Sequence, residues 1–325
     1  MRAALLGVLL AATLAAPTLA QPKRVAPPPP PAAAPAPAAP APSADADEAF
    51  GAYQRGFYMT AFRAATTRAE QGDTAAMTLL GELYSQGLGV GRDAKKAAEW
   101  YKLAADRGDR NATFALAMMN FEGRLGQRDG KEAVRLLTDA ARHGHAIAAY
   151  DLGLLFLQGH EVTQDFVQAA SLFNDAASAG NPEAQYALAT MYKEGRGVPK
   201  DMRKAMALMG QASVAGNIDA MVEYAIGEFN GEGVDKDESA AAQLFLKAAR
   251  RGSAIAQNRI ARILMAGRGM PADPTEAIKW HTIAKAGGAG DPELDIFAAK
   301  QKPEVRDAAD KAAKKWLAGL LGARS

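Results

Sequence analysis

An all-α solenoid of stacked helical hairpins is the fold class this sequence predicts, on three observations. Glycines recur at an unbroken spacing of 36 residues: Gly72, Gly108, Gly144, Gly180, Gly216, Gly252 and Gly288. In the same register run columns of aspartate (Asp93, Asp129, Asp165, Asp201, Asp237, Asp273) and of alanine (Ala76 to Ala256, Ala97 to Ala277, Ala104 to Ala284). The chain is apolar yet aromatic-poor, with 49% hydrophobic residues, much of it alanine, against 7% aromatic ones. Alanine is the strongest helix former, whereas strands favour branched and aromatic residues. A fixed period of a few tens of residues marks a repeat architecture, in which one unit cannot bury its apolar face alone and a stack can.

The elements follow in order along the 325 residues. Arg2, the apolar run from Ala3 to Ala16 and the small residues of Thr18-Leu19-Ala20 predict a cleaved secretory leader over residues 1–20. The run is shorter than the roughly 20 apolar residues a membrane span needs, and no cysteine follows it to carry a lipid anchor. Residues 21–47 are largely Pro and Ala, with an unbroken Pro27–Pro31, and predict an extended spacer with nothing to bury. Residues 48–72, with Phe50, Tyr53, Phe57, Tyr58 and Phe62, predict a short N-terminal helix pair that caps the array. Six units then cover 73–108, 109–144, 145–180, 181–216, 217–252 and 253–288, and residues 289–325 supply C-terminal capping helices. In the last of these, Val305, Ala309, Ala312, Trp316 and Leu320 mark an apolar face opposite Arg306, Lys311, Lys314 and Lys315. Capping elements with a polar outer face are what a solenoid needs for solubility, and a basic amphipathic helix also suits an anionic lipid surface.

Each unit reads as helix A, a glycine-containing loop, helix B and a short turn. Gly87, Gly123, Gly159, Gly195, Gly231 and Gly267 end the first apolar run, where a left-handed residue terminates a helix. The aspartate column begins helix B as an N-cap, and Asp73, Asp109, His145, Asn181, Asn217 and Ser253 stand where helix A begins. The alanine columns place helices in close approach, and Trp100, Leu136, Leu172, Leu208, Leu244 and Trp280 are expected to fill the gap between units.

Leu80-Gly81-Glu82-Leu83-Tyr84-Ser85-Gln86-Gly87-Leu88-Gly89-Val90 resembles the LGxxYxxGxGV signature of Sel1-like repeats. Asp93, Lys96-Ala97, Trp100-Tyr101 and Ala104-Ala105 resemble that family's second helix, and Gly195–Asp201 and Gly267–Asp273 repeat the loop. The resemblance covers Gly72 to Gly288 and implies a tetratricopeptide-related solenoid, right-handed by analogy with other helical repeats. Leu125 and Glu161 depart from the second loop glycine, and Asn120 and Glu228 from the family's tyrosine, so altered loops or frayed A-helix ends are expected there.

No catalytic constellation is legible. Without cysteine, disulfides, thiolate catalysis and cysteine-based zinc sites are excluded. A cysteine-rich branch of the family is associated with penicillin binding and weak β-lactamase activity; this chain has no cysteine and no Ser-x-x-Lys-centred set. His143, His145, His160 and His281 join no carboxylates at metal-ligand spacing, so no metal and no cofactor is expected. Gly87-Leu88-Gly89 lacks the preceding strand and the Lys-Ser/Thr of a phosphate loop, and Gly231–Asp237 lacks the final bidentate Glu of a calcium loop. A net charge of +2 is too weak a bias for nucleic acid.

The expectation is a non-catalytic scaffold, adaptor or regulator in the periplasm or secreted from a bacterium, binding an envelope protein in the groove of successive A helices. The alternative is a cell-wall hydrolase or glycan-binding protein. Candidate partner-binding residues are the variable positions Glu82, Phe114, Glu122, Tyr150, Tyr186, Thr190, Glu194, Asn258 and Arg262. The aromatic ones also suit a core role.

Overall fold

The computed structural model describes residues 44–322, with side chains from 48 to 319. The expected leader lies outside the described residues, as does the expected spacer up to residue 43. The described residues form sixteen helices and no strand. The first hairpin is α1 (Ala44–Gln54) and α2 (Tyr58–Glu70). Six A–B hairpins follow: α3 (Thr74–Gln86) with α4 (Ala94–Ala105), α5 (Arg110–Phe121) with α6 (Gly130–Arg142), α7 (Ala146–Gln158) with α8 (Phe166–Ser178), α9 (Pro182–Glu194) with α10 (Met202–Val214), α11 (Ile218–Asn230) with α12 (Glu238–Arg250), and α13 (Ala254–Ala266) with α14 (Pro274–Ala286). The array closes with α15 (Pro292–Ala299) and α16 (Pro303–Gly322). Each A helix packs on its own B helix, and each B helix on the next A helix. This is an all-α solenoid.

Helix starts are set by short-range hydrogen bonds. Every A helix from α3 to α13 has the expected N-cap, whose side chain accepts from the N–H of the alanine three residues on. His145 does so through Nδ1, 3.0 Å from the Ala148 nitrogen. All six aspartates cap the B helices. Each also donates its own N–H to a carbonyl near the end of the preceding A helix, as Asp201 does to Tyr192 at 2.9 Å and Asp237 to Glu228 at 2.8 Å. One residue thus closes the loop through its backbone and starts the helix through its side chain.

Helix A ends as expected in five units, on a left-handed glycine. The second unit differs: α5 stops at Phe121, and Glu122 takes a right-handed cap before Gly123. The altered ends expected from Leu125, Glu161, Asn120 and Glu228 occur only there, because α7 and α11 run full length.

Of the bulky column expected to fill the gap between units, Leu136, Leu172 and Trp280 are buried, and Trp100, Leu208 and Leu244 are half-buried. The next position is buried in all six units: Tyr101, Leu137, Phe173, Met209, Phe245 and His281. These side chains seat on a Gly/Ala column of the A helix: Gly81, Ala117, Gly153, Ala189, Ala225 and Ala261, also buried throughout. A β-carbon at Gly81 would lie 2.5 Å from the Tyr101 ring, and one at Gly153 2.6 Å from the Phe173 ring. Glycine stands opposite Tyr101 and Phe173, whose rings approach the A-helix backbone this closely, whereas Phe245 and His281 fall opposite alanine.

Units are joined by their loops. The second loop glycines Gly89, Gly197, Gly233 and Gly269 have φ between +71° and +76°. Each lies against the backbone at the start of the previous B helix, and a β-carbon there would come within 3.0 Å of Tyr58, Phe166, Met202 or Glu238. Glu161 occupies this position in the third unit, and the helix start beneath it is Gly130, where a β-carbon would overlap the Glu161 carboxylate. The glycine has moved from the loop to the helix below it, and Arg128 pairs with the Glu161 carboxylate.

At the C-terminal end α16 packs on α14, with Ala309 and Ala313 fully buried and Trp316 edge-on to Trp280 at 5.2 Å. No helix among the described residues is long and apolar enough to cross a membrane.

Candidate interaction surface

The nine residues singled out by sequence fall at helix spacings of four along the A helices, so they form one stripe crossing successive units. Phe114, Tyr150, Tyr186 and Asn258 share one register; Glu82, Thr190 and Arg262 lie one turn on, and Glu122 and Glu194 a turn further. The stripe borders the next A helix, so most of its members already have partners. The Phe114 ring stacks on His145 of α7 at 4.5 Å, and burial depresses the His145 pKa. Tyr150 packs against Phe173 at 5.7 Å. Tyr186 lies against Ala189, Met206 and Met209, and the Thr190 hydroxyl donates to its carbonyl at 3.0 Å. Glu82 accepts from the Tyr101 hydroxyl at 2.9 Å, and burial followed by this carboxylate pushes that phenol far up. Glu122 and Glu194 are exposed and pair with Arg124 and Arg196.

Asn258 and Arg262 hold the C-terminal cap. Asn258 Nδ2 donates to Asp291 Oδ2 at 3.1 Å, and Arg262 Nε to the same oxygen at 2.5 Å. Asp291 itself caps α15. Burial opposes its charge, but Arg262, Asn258 and the Glu293 N–H outweigh burial and hold its pKa down to about 2. His281 joins the same end: its Nε2 lies 2.8 Å from Asp295 Oδ1, which also accepts from Lys285 at 2.8 Å. Among the described residues no group of three or more His, Asp or Glu is placed to hold a metal.

The freer surface lies beside that stripe, at positions three residues before it (Glu183, Asp219) and one residue after it (Asp151, Glu223). Asp151, Glu183, Asp219 and Glu223 cluster around Tyr150 and Tyr186: after burial, Asp151 and Glu183 raise the Tyr150 pKa, and Glu223 and Asp219 raise that of Tyr186. Lys193 Nζ pairs with Glu223 at 2.6 Å. In the sixth unit the equivalent of Asp151 and Glu223 is Arg259. The face therefore changes sign along the array. Comparing charge column by column would have exposed this; choosing variable aromatic positions instead selected residues that pack.

Asp151 is half-buried with no hydrogen-bond or ion-pair partner among the described residues, and burial pushes its carboxyl up to about 6. An acid that binds its proton more tightly folded than unfolded stabilises the fold at low pH. That stability falls as pH rises from about 4 through about 6. Asp151→Asn is expected to raise stability at pH 7.5 by roughly 2–3 kcal/mol and to change little at pH 3.5. Denaturant titrations at the two pH values test this, and an equal effect at both would contradict it.

Six consecutive segments, residues 74–109, 110–145, 146–181, 182–217, 218–253 and 254–288, match the model of the Sel1 repeat. The chain belongs to the Sel1 repeat family. The Sel1 array is also similar to solved structures. One is a Sel1 repeat protein from Oxalobacter formigenes, at 26% identity over 75% of this chain and 97% of that one, with a TM-score of 0.62. Another is a protective antigen of uropathogenic Escherichia coli strains, at 25% identity over 84% of this chain and 68% of that one, with a TM-score of 0.54. Comparison with curated proteins found no match. Sel1 repeats typically mediate protein–protein interaction, and their solenoids are typically non-catalytic binding scaffolds.

Proposed function

We propose that this Sel1 array is a non-catalytic scaffold or regulator of the bacterial cell envelope that holds a protein partner along its A-helix face. The observation that carries the reading is the sign change along that face, from the carboxylates around Tyr150 and Tyr186 to the exposed Arg259 of the sixth unit. Complementary charge on a partner would fix its direction and register along the array, which is what interface charges chiefly supply. A half-buried, unpartnered Asp151 is the kind of locally unfavourable group that a binding surface retains. The apolar run before Ala20 and the proline-rich segment after it support export and a spacer that projects the array from its attachment or cleavage point.

The test uses a photo-crosslinking amino acid placed in cells at Glu183 or Arg259 on the A-helix face, and at Glu99 on a B helix. A discrete partner captured from the first two sites and not from the third is the expected result. Capture from Glu99 alone, or from none of the three, overturns the scaffold reading. Mass spectrometry of the mature chain reads export: an N-terminus at Gln21 supports it, and a retained Met1 in a cytoplasmic fraction overturns it.

A further inference from the structure

A concavity on the interaction face has a defined chemistry. Between the ends of α11 and α13 lies a cavity of about 370 Å³. Ile226, Phe229, Phe245 and Met265 give it apolar walls, and Arg259, Arg262 and Arg268 stand around it. Its volume is at the small end of ligand sites, enough for one or two side chains rather than a drug-sized molecule.

The three arginines are not equivalent. Arg262 is shared by Asp291 and by Glu293, whose carboxylate is 3.1 Å away. Arg268 pairs with Glu238 at 2.5 Å and lies 4.6 Å over the Phe229 ring, forming a wall of the cavity. Arg259 is exposed and has no hydrogen-bond or ion-pair partner among the described residues. Two negative helix ends border the cavity, each equivalent to about half a charge at most. The left-handed caps Gly231 and Gly267 each direct an N–H at a carbonyl of those ends. Asp291, Glu293 and Glu238 balance the three arginines in number, and their contacts go to Arg262 and Arg268, so Arg259 is the cation left to meet an incoming carboxylate.

Resting on the scaffold reading, we propose that this cavity docks a partner segment in which an acidic residue precedes a large apolar one. The apolar side chain enters between Phe229 and Met265, and the carboxylate meets Arg259. A guanidinium presents a planar fork of donors that matches a carboxylate, and a neighbouring apolar wall limits competition from water. A basic segment would bring like charge to Arg259 and is rejected here, though the carboxylates around Tyr186 would tolerate one elsewhere on the face.

The probe is a hexapeptide labelled with fluorescein at its N-terminus, fluoresceinyl-Gly-Asp-Glu-Phe-Leu-Gly-amide, titrated into the full chain by anisotropy. Two companions replace Asp-Glu by Lys-Lys or Phe-Leu by Ala-Ala. Saturable binding of the first is expected, at least tenfold tighter than either companion and weakening as salt rises from 50 to 300 mM. Arg259→Glu is expected to weaken it tenfold or more, Arg259→Lys to restore part of the loss, and Arg203→Glu on a B helix to leave it unchanged. A photo-reactive Phe analogue in the peptide should label α11 or α13. Equal binding of the acidic and lysine peptides, indifference to Arg259→Glu in a chain with unchanged circular dichroism, or labelling elsewhere would overturn the proposal. If the peptide fails while Glu183 still captures a partner in cells, the docking site falls and the scaffold stands. If no face captures a partner, the scaffold reading falls, and saturable peptide binding at Arg259 still answers for the cavity.

Discussion

Replacing Gly197 by alanine is expected to destabilise the array by about 2–5 kcal/mol. Two costs combine. Gly197 has φ +71°, where a β-carbon costs an L-residue about 1–2 kcal/mol. The added carbon would also overlap the Phe166 carbonyl at the start of α8. Backbone cannot swing aside as a flexible side chain can, so the fourth unit's loop must lift off the third unit's helix B, for about 1–3 kcal/mol more. Gly108 separates the two terms: its φ is +86°, and a β-carbon there would meet nothing within 4 Å. Gly108→Ala should therefore show only the conformational cost. Denaturant melts of the two variants decide the matter, and equal losses would remove inter-unit packing from the account of Gly197.

Truncating Phe173 to alanine is expected to cost about 3–5 kcal/mol, the range for a large aromatic removed from a packed core. Phe173 is fully buried at the centre of the third unit, against Gly153 on α7. In a stacked array each unit contacts only its neighbours, so the loss should be read locally, as reduced hydrogen-exchange protection of α7 to α10 before the ends of the array. The reciprocal change is also informative. Gly153→Ala places a methyl group 2.6 Å from the ring and is expected to cost about 1–3 kcal/mol. Combining it with Phe173→Leu recreates the Ala117 and Leu137 arrangement of the second unit, where both residues are fully buried. The double variant should then recover most of the Gly153→Ala loss. Losses that simply add would show that ring and glycine are not fitted to each other.

Fold and site were legible to different depths. The period, the hairpin plan and nearly every helix boundary could be read from the chain, because a cap is decided by residues within a turn of one another. Asp201 accepts from Lys204 three positions on, and Gly195 donates to Met191 four positions back. His145 was legible as a helix start even though its chemistry differs from that of Asp109 or Asn181, since its Nδ1 fills the same acceptor role. The bulky column was legible in part: Leu136, Leu172 and Trp280 are buried, but in the first unit the buried residue is Tyr101 rather than Trp100, because both are bulky and only the neighbouring helix distinguishes them. The interaction face was least legible. Phe114 and Tyr186 suited either surface or core from the sequence, and packing decides it: each is half-covered from another helix, by His145 or by the Met206 and Met209 cluster. Arg262 read as a binding residue and serves Asp291, which is 29 positions away.

Sequence by itself thus determined that this chain is a Sel1 solenoid, how long each unit is, and where its helices start and stop, because those depend on short-range backbone hydrogen bonding repeated every 36 residues. Tertiary structure alone decided which ring meets which glycine, that Gly130 accommodates Glu161, and that Arg259 stands unpaired at the mouth of a cavity. Exposure and charge pairing at these positions are set by side chains one unit away in sequence and adjacent in space, and only the packed stack brings them together.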